Sequence, residues 1–156
     1  MLEALLATPF VLAVLVALLG RDQRRAAAWL AAAAPVLGLL VLAALTPAVL
    51  EGTGVRSSTP WVPSLGLALS LRLDGLAWMF AGLVLAIGLL IVVYARYYLS
   101  EEDSMPRFFS FLLLFMGSML GMVVAGNLVL LAVFWELTSV SSFLLIGFWK
   151  HRSAAR

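Results

Sequence analysis

One ionisable side chain lies deep inside an uncharged apolar stretch: Glu136, in Phe134-Trp135-Glu136-Leu137-Thr138-Ser139. In a helix that starts at Leu128 it sits eight residues in, about 12 Å from the helix end at 1.5 Å per residue. An ionised carboxylate at that depth in a bilayer costs ~3 kcal/mol even on the lenient insertion scale. The cost falls when the carboxyl carries a proton, or when a cation from another helix lies beside it. Its charge then depends on its neighbours, which is what a proton relay requires. A plainer role, a carboxyl that stays protonated and bonds a neighbouring helix, fits the same position. Thr138, Ser139, Ser141 and Ser142 follow. At 100° per residue only Ser139 lies on the side of Glu136, with Val140 and Phe143 near that face. Ser139 is therefore the candidate to support the carboxyl or a water, although hydroxyls in such helices often bond back to their own backbone.

Other chemistry finds few residues. The chain has no cysteine and one histidine, His151, between Lys150 and Arg152, so neither a thiolate nor a metal site is expected. No Gly-rich phosphate loop and no Ser-His-Asp set is present. No cofactor and no enzyme chemistry are expected. The net charge of +2 comes without a basic stripe interleaved with aromatics, so nucleic acid is not an expected partner.

The elements that must carry Glu136 follow from composition. Of the residues, 64% are hydrophobic and 12% charged, against about a quarter charged in a soluble domain. A soluble chain of this length has too large a surface to hide them. The charges cluster at Arg21–Arg25, Glu51–Arg56, Arg72 and Asp74, Arg96–Arg107 and from Lys150 onward, leaving 4–20, 26–50 and 75–95 uncharged. Each stretch approaches the ~20 residues that a helix needs to cross ~30 Å of hydrocarbon. The stretch 108–149 has 42 residues and as one helix would reach about 63 Å. It must fold back, and Gly126-Asn127 is the turn dipeptide near its middle. The expectation is one all-α membrane domain with about five transmembrane helices, at 2–20, 26–49, 75–98, 106–125 and 128–149.

Between the second and third spans, Leu65, Leu67, Leu69, Leu71 and Leu73 alternate with Gly66, Ala68, Ser70 and Arg72. That period of two predicts a half-buried strand after a Pro63-Ser64 turn, so a short β-element in the 50–74 loop on the outer face of the bundle. Asp74 should cap the third span. Pro35 should kink the second. Gly117, Gly121 and Ala125 recur every fourth residue and should let another helix approach closely. Tyr94, Tyr97 and Tyr98 with Arg96 read as an interfacial belt with a snorkelling arginine.

The stretch from Trp61 to Trp149 resembles the N-terminal part of the large antiporter-like subunits shared by multisubunit Na⁺/H⁺ antiporters and respiratory complex I. The resemblance lies in Trp61-x-Pro63, Leu73-Asp74-Gly75-Leu76, Tyr94-x-x-Tyr97-Tyr98, Arg107-Phe108-Phe109, Asn127-Leu128 and Trp135-Glu136. The run from Trp135 to Gly147 looks most like the A subunit of the Mrp-type antiporter; the complex I counterpart usually has a Gly-rich variant after Trp-Glu. The first two spans share only hydropathy with the family. The resemblance implies that Glu136 occupies the position of the essential membrane glutamate, exchanging its proton with a lysine on a later helix. It also implies partners: other membrane subunits of a hetero-oligomeric complex, protons, and Na⁺ or K⁺. Family members have a dozen or more spans, so these residues correspond to the front part of such a subunit. Two alternatives stand beside this reading: a proton-pumping subunit of a complex I-like oxidoreductase or membrane hydrogenase, and a non-transporting assembly fragment.

Loops assigned alternately to two sides carry two Lys/Arg on one side (Arg56, Arg72) and eight on the other (Arg21, Arg24, Arg25, Arg96, Arg107, Lys150, Arg152, Arg156). The positive-inside rule then puts the N-terminus and the 50–74 loop outside and the C-terminus in the cytoplasm of a multi-pass cell inner-membrane protein. The first segment has Glu3 where a signal peptide would carry positive charge, so it should remain as a span. A single cysteine at position 57 of this cysteine-free chain should react with an impermeant thiol reagent from outside. Reaction only from the cytoplasmic side would refute the orientation.

Overall fold

A computed structural model describes residues 1–62 and 67–149. In chain order they form α1 (Leu2–Ala17), α2 (Arg24–Leu50), β1 (Val55–Val62), β2 (Leu67–Leu73), α3 (Gly75–Tyr98), α4 (Met105–Val124) and α5 (Leu128–Ile146), with a final 3₁₀ turn at Gly147–Trp149. The protein is thus mostly helical, with one small sheet. Helices α2 to α5 are long and apolar enough to cross a membrane. With 16 residues, α1 is shorter than the expected 2–20 and reaches about 24 Å. It closes at Leu18, whose N–H bonds Val14 O, and the chain turns through Gly20. In α2 the helix runs on through Pro35 and Pro47.

The bundle is organised around α4, the most buried of the membrane-length helices. One continuous apolar core joins Leu5 and Val16 of α1, Ala31 of α2, Leu85 of α3, Phe109, Leu113 and Leu120 of α4, and Phe134 of α5. The small-residue ridge on α4 faces α1 and α5, the neighbouring helices that pack against it. Aromatic rings fill its notches. A Cβ at Gly117 would lie 3.0 Å from the Phe10 ring, and one at Gly121 would fall into the Phe134 ring. Phe10 and Phe134, from α1 and α5, meet at 6.3 Å between centroids, inside the range of favourable aromatic pairs. Ser110 adds a polar tie by donating to Ala13 O at 2.9 Å.

The alternating leucines form a strand, as the period predicts. β2 pairs antiparallel with β1, from Val55↔Leu73 to Val62↔Leu67. Leu71 and Leu73 are buried, while Arg72 between them is exposed. The Pro63-Ser64 turn lies outside the described residues. Ser57 on β1 donates to the Glu3 carboxylate, which also receives the N-terminal amine at 3.3 Å. Asp74 caps α3, accepting from Ala77 N at 2.9 Å. It also meets Arg72 at 3.2 Å, but both side chains are about half exposed, so this pair adds little stability.

At the opposite end of the bundle, the guanidinium of Arg24 donates to Asp103 O and Leu99 O at 2.9 Å each. This ties the α3–α4 loop to the start of α2 and satisfies a carbonyl at the end of α3. Arg96 lies over the Trp29 ring at 5.5 Å, so it is held by a cation–π contact as well as by its end position.

Enlarging Gly121 to Leu should drive α5 away from α4 and cost about 1–3 kcal/mol, as overpacking does. Thermal unfolding in detergent, followed by circular dichroism, measures it. Phe134→Ala in the same chain should restore part of the loss. Gly82→Ala, whose new Cβ would meet Leu42 at an ordinary 3.5 Å, should change little.

Candidate functional site

The position of Glu136 depends on where α5 begins, and three contacts to the hairpin decide that. Gly126 N–H donates to Ser70 O at 2.7 Å. Asn127 donates through Nδ2 to Ala68 O at 3.0 Å, while its Oδ1 accepts from Leu130 N at 2.8 Å. A bridge between Leu71 and Ala125 completes the junction. Asn127 thus caps α5 and binds the β-strand with one side chain. Only glycine fits at 126, because a Cβ there would lie 2.7 Å from Ser70 O. The sequence marks Gly126-Asn127 as a turn but not as a cross-link. An asparagine directly before an apolar helical run is the cap signal that was available.

From this start, packing against the bundle fixes the facing of α5. Leu130, Phe134 and Ser141 are its buried residues. Glu136 is two positions past Phe134, about 160° away around the helix. It is exposed at the outer face of the chain. Around it on that face lie Val129, Val133, Val140 and Phe143, all exposed. Among the described residues no hydrogen bond or ion pair reaches its carboxyl. The structure therefore sets Glu136 at mid-helix, in an apolar surround, on the least buried of the membrane-length helices.

Three hydroxyls of α5 turn to their own backbone. Thr138 donates to Phe134 O at 2.8 Å, Ser139 to Trp135 O at 3.3 Å, and Ser141 to Leu137 O at 2.8 Å. Ser139 shares the exposed side with Glu136, yet no hydrogen bond joins the two. Beside this face, Trp135, Thr138, Ser139 and Ser142 form one wall of a groove of about 280 Å³, with Phe115 and Met122 of α4 as the other. Its volume would take several waters, whose share of the liquid is about 30 Å³ each. The described arginines stand at element ends, in a turn or on the hairpin: Arg21 lies between α1 and α2, Arg24 and Arg25 begin α2, Arg96 is in the last turn of α3, Arg107 is in the first turn of α4, and Arg56 and Arg72 lie on the hairpin. His151 and Lys150 lie outside the described residues. Among the described residues, no three His, Cys, Asp or Glu side chains come together as a metal site would need.

The chain is a multi-helix bundle with a glutamate on the apolar outer face of its fifth helix, and known proteins show what it is similar to. Residues 61–109 match the family model described as "NADH-Ubiquinone oxidoreductase (complex I), chain 5 N-terminus". Over all 156 residues the chain is 51% identical to a probable K⁺/H⁺ antiporter A/B subunit from Rhizobium meliloti (strain 1021), of which it covers 16%. Among solved structures it is similar to the Mrp complex from Dietzia sp. DQ12-45-1b, with a TM-score of 0.81 and 37% identity over 93% of this chain and 16% of that one. It is also similar to the membrane-bound sulfane sulfur reductase, an archaeal respiratory membrane complex, with a TM-score of 0.77 and 27% identity over 91% of this chain and 22% of that one. The chain resembles the antiporter-like membrane subunits of Mrp-type antiporters and complex I. Within that group its sequence corresponds to the N-terminal part of the Mrp-type A subunit, and it spans about a sixth of the length of the Rhizobium relative.

Proposed function

We propose that these residues serve as the front part of a monovalent cation/proton antiporter subunit, with Glu136 as the carboxylate that takes up and releases the proton. The observation that carries this is Glu136 itself: a mid-helix carboxyl on an apolar face, without a partner among the described residues. Such a group in a membrane needs a counter-charge or a proton. The identity to an antiporter subunit over the whole chain supports the same reading. The outward face of α5 would lie against further helices of the assembly, which would supply the switching cation. The described arginines stand at element ends or on the hairpin and would snorkel toward the interfaces. Ser139 would help to hold water or the carboxyl in the neighbouring groove. The hairpin and N-terminus would face outward, and the Arg24–Leu99 end would face the cytoplasm, as the Lys/Arg asymmetry favours.

A second reading, a proton-translocating subunit of a redox-driven complex, is favoured by the family model and by the likeness to a respiratory complex. The two separate by what drives flux. An antiporter moves protons in vesicles on a Na⁺ or K⁺ gradient alone, whereas a redox complex needs an electron donor and acceptor.

Glu136→Gln in the assembled antiporter should preserve assembly and abolish cation-driven proton flux, because Gln keeps the volume and hydrogen bonding but holds no exchangeable proton. Glu136→Asp should keep partial activity with the carboxyl drawn back by one methylene. A pH-sensitive dye in vesicles reads both. Unaltered flux in the Gln variant would remove Glu136 from the proton path.

A further inference from the structure

A second groove, of about 400 Å³, runs between α3 and α4. It lies on a different face from Glu136, and the proposal about it does not depend on that residue. Every residue that lines it is Phe, Leu, Val, Ile, Met or Gly. From Phe80 to Ile91 it follows α3 for roughly 16 Å, a length and a wholly apolar lining that suit a hydrocarbon chain lying along the helix pair. Three methionines, Met116, Met119 and Met122, form much of the α4 wall, and such side chains adapt to a mobile chain.

The end of the groove toward the α3–α4 loop has a different chemistry. On α4 the stripe Arg107, Phe111, Phe115 and Met119 advances by four residues at a time, so these side chains share one face. Arg107 stands about 7 Å beyond Leu112, the last α4 residue of the groove. It is exposed, its guanidinium rests over the Phe111 ring at 5.4 Å, and no described carboxylate pairs with it. On α3 the corresponding stripe continues from Ile91 to Tyr94 and Tyr98, whose exposed rings stack at 5.1 Å. An apolar channel that ends in a cation and two tyrosines has the sequence of chemistries of a phospholipid, acyl chain first and phosphate last.

We propose that the α3–α4 groove holds one acyl chain of an anionic phospholipid whose phosphate is bound by Arg107 beside Tyr94 and Tyr98. Glu101 and Glu102, exposed in the same loop, oppose long-range attraction, so the head group is held by contact with the guanidinium. Charge-assisted hydrogen bonds of Arg to phosphate supply that contact.

The test is native mass spectrometry of the full 156-residue chain released from bilayer discs containing equal phosphatidylglycerol and phosphatidylcholine. The wild-type chain should retain phosphatidylglycerol about tenfold over phosphatidylcholine. Arg107→Gln should remove that preference and Arg107→Lys should keep most of it. Ile87→Trp, which fills the groove from an exposed position, should lower retention of both lipids. Circular dichroism checks that the variants keep their helices. Glycerophosphoglycerol, which has the head group without acyl chains, should not displace the lipid. Equal retention of the two lipids by the wild type, an unchanged preference in Arg107→Gln, or displacement by the acyl-free head group would each overturn the site.

Discussion

The contact on which the arrangement depends is the junction of Gly126 and Asn127 with the hairpin. A chain that folds back inside a 42-residue apolar stretch whose one ionisable residue is Glu136 must expose backbone donors and acceptors at the turn, and each one left unsatisfied and buried costs about 1–3 kcal/mol. Here the hairpin satisfies them. Ser70 O takes the Gly126 N–H, Ala68 O takes the Asn127 side-chain amide, and Asn127 Oδ1 takes the Leu130 N–H in the first turn of α5. The junction fixes the start of α5, and Glu136 follows eight residues later. It also gives the β-element a structural purpose. A strand that looks peripheral sets the depth of a carboxyl about 12 Å away along the helix.

Much of this was legible in the sequence, and the parts that were not have physical reasons. Charge clustering and apolar run length give the helices, because backbone satisfaction in lipid leaves few alternatives. The alternation from Leu67 to Leu73 gives β2 for the same kind of reason, since Leu71 and Leu73 are buried and Arg72 is not. Its partner β1, with Arg56, Ser57, Ser58, Thr59 and Pro60 in its centre, carries no apolar period, because its exposed side chains do not need one. The Gly117/Gly121 ridge signals close approach but not by what, and rings occupy it. The facing of α5 was the least legible feature. With Leu, Val and Phe on all sides, the sequence has no apolar stripe to oppose a polar one, and only packing shows that Phe134 faces inward and Glu136 outward.

That outward facing connects the fold to the function. Helix α4 is buried by α1 on one side and by α5 on another, and the two grooves that flank its outer face share Phe115 and Met122. One groove is wholly apolar. The other has Thr138, Ser139 and Ser142 along its α5 wall, where water has hydrogen-bonding partners. The bundle thus presents a hydrocarbon-like surface on one side of α4 and a partly polar one beside Glu136. On the proposed reading, the helices that cover this surface in the assembly would set the environment of the carboxyl.

Depth and facing of Glu136 both rest on the hairpin junction, and a distance measured across that junction tests it most directly. Spin labels on cysteines at exposed Ser58 of β1 and exposed Ser139 of α5 can be placed in this cysteine-free chain without background, and pulsed electron paramagnetic resonance reads their separation in a bilayer. A single narrow distribution is expected with Asn127 present, and a broadened or displaced one with Asn127→Ala, while Asn127→Asp, which keeps the cap but loses the donor to Ala68 O, should fall between. An Asn127→Ala distribution identical to that of the native residue would contradict the claim that the hairpin fixes α5.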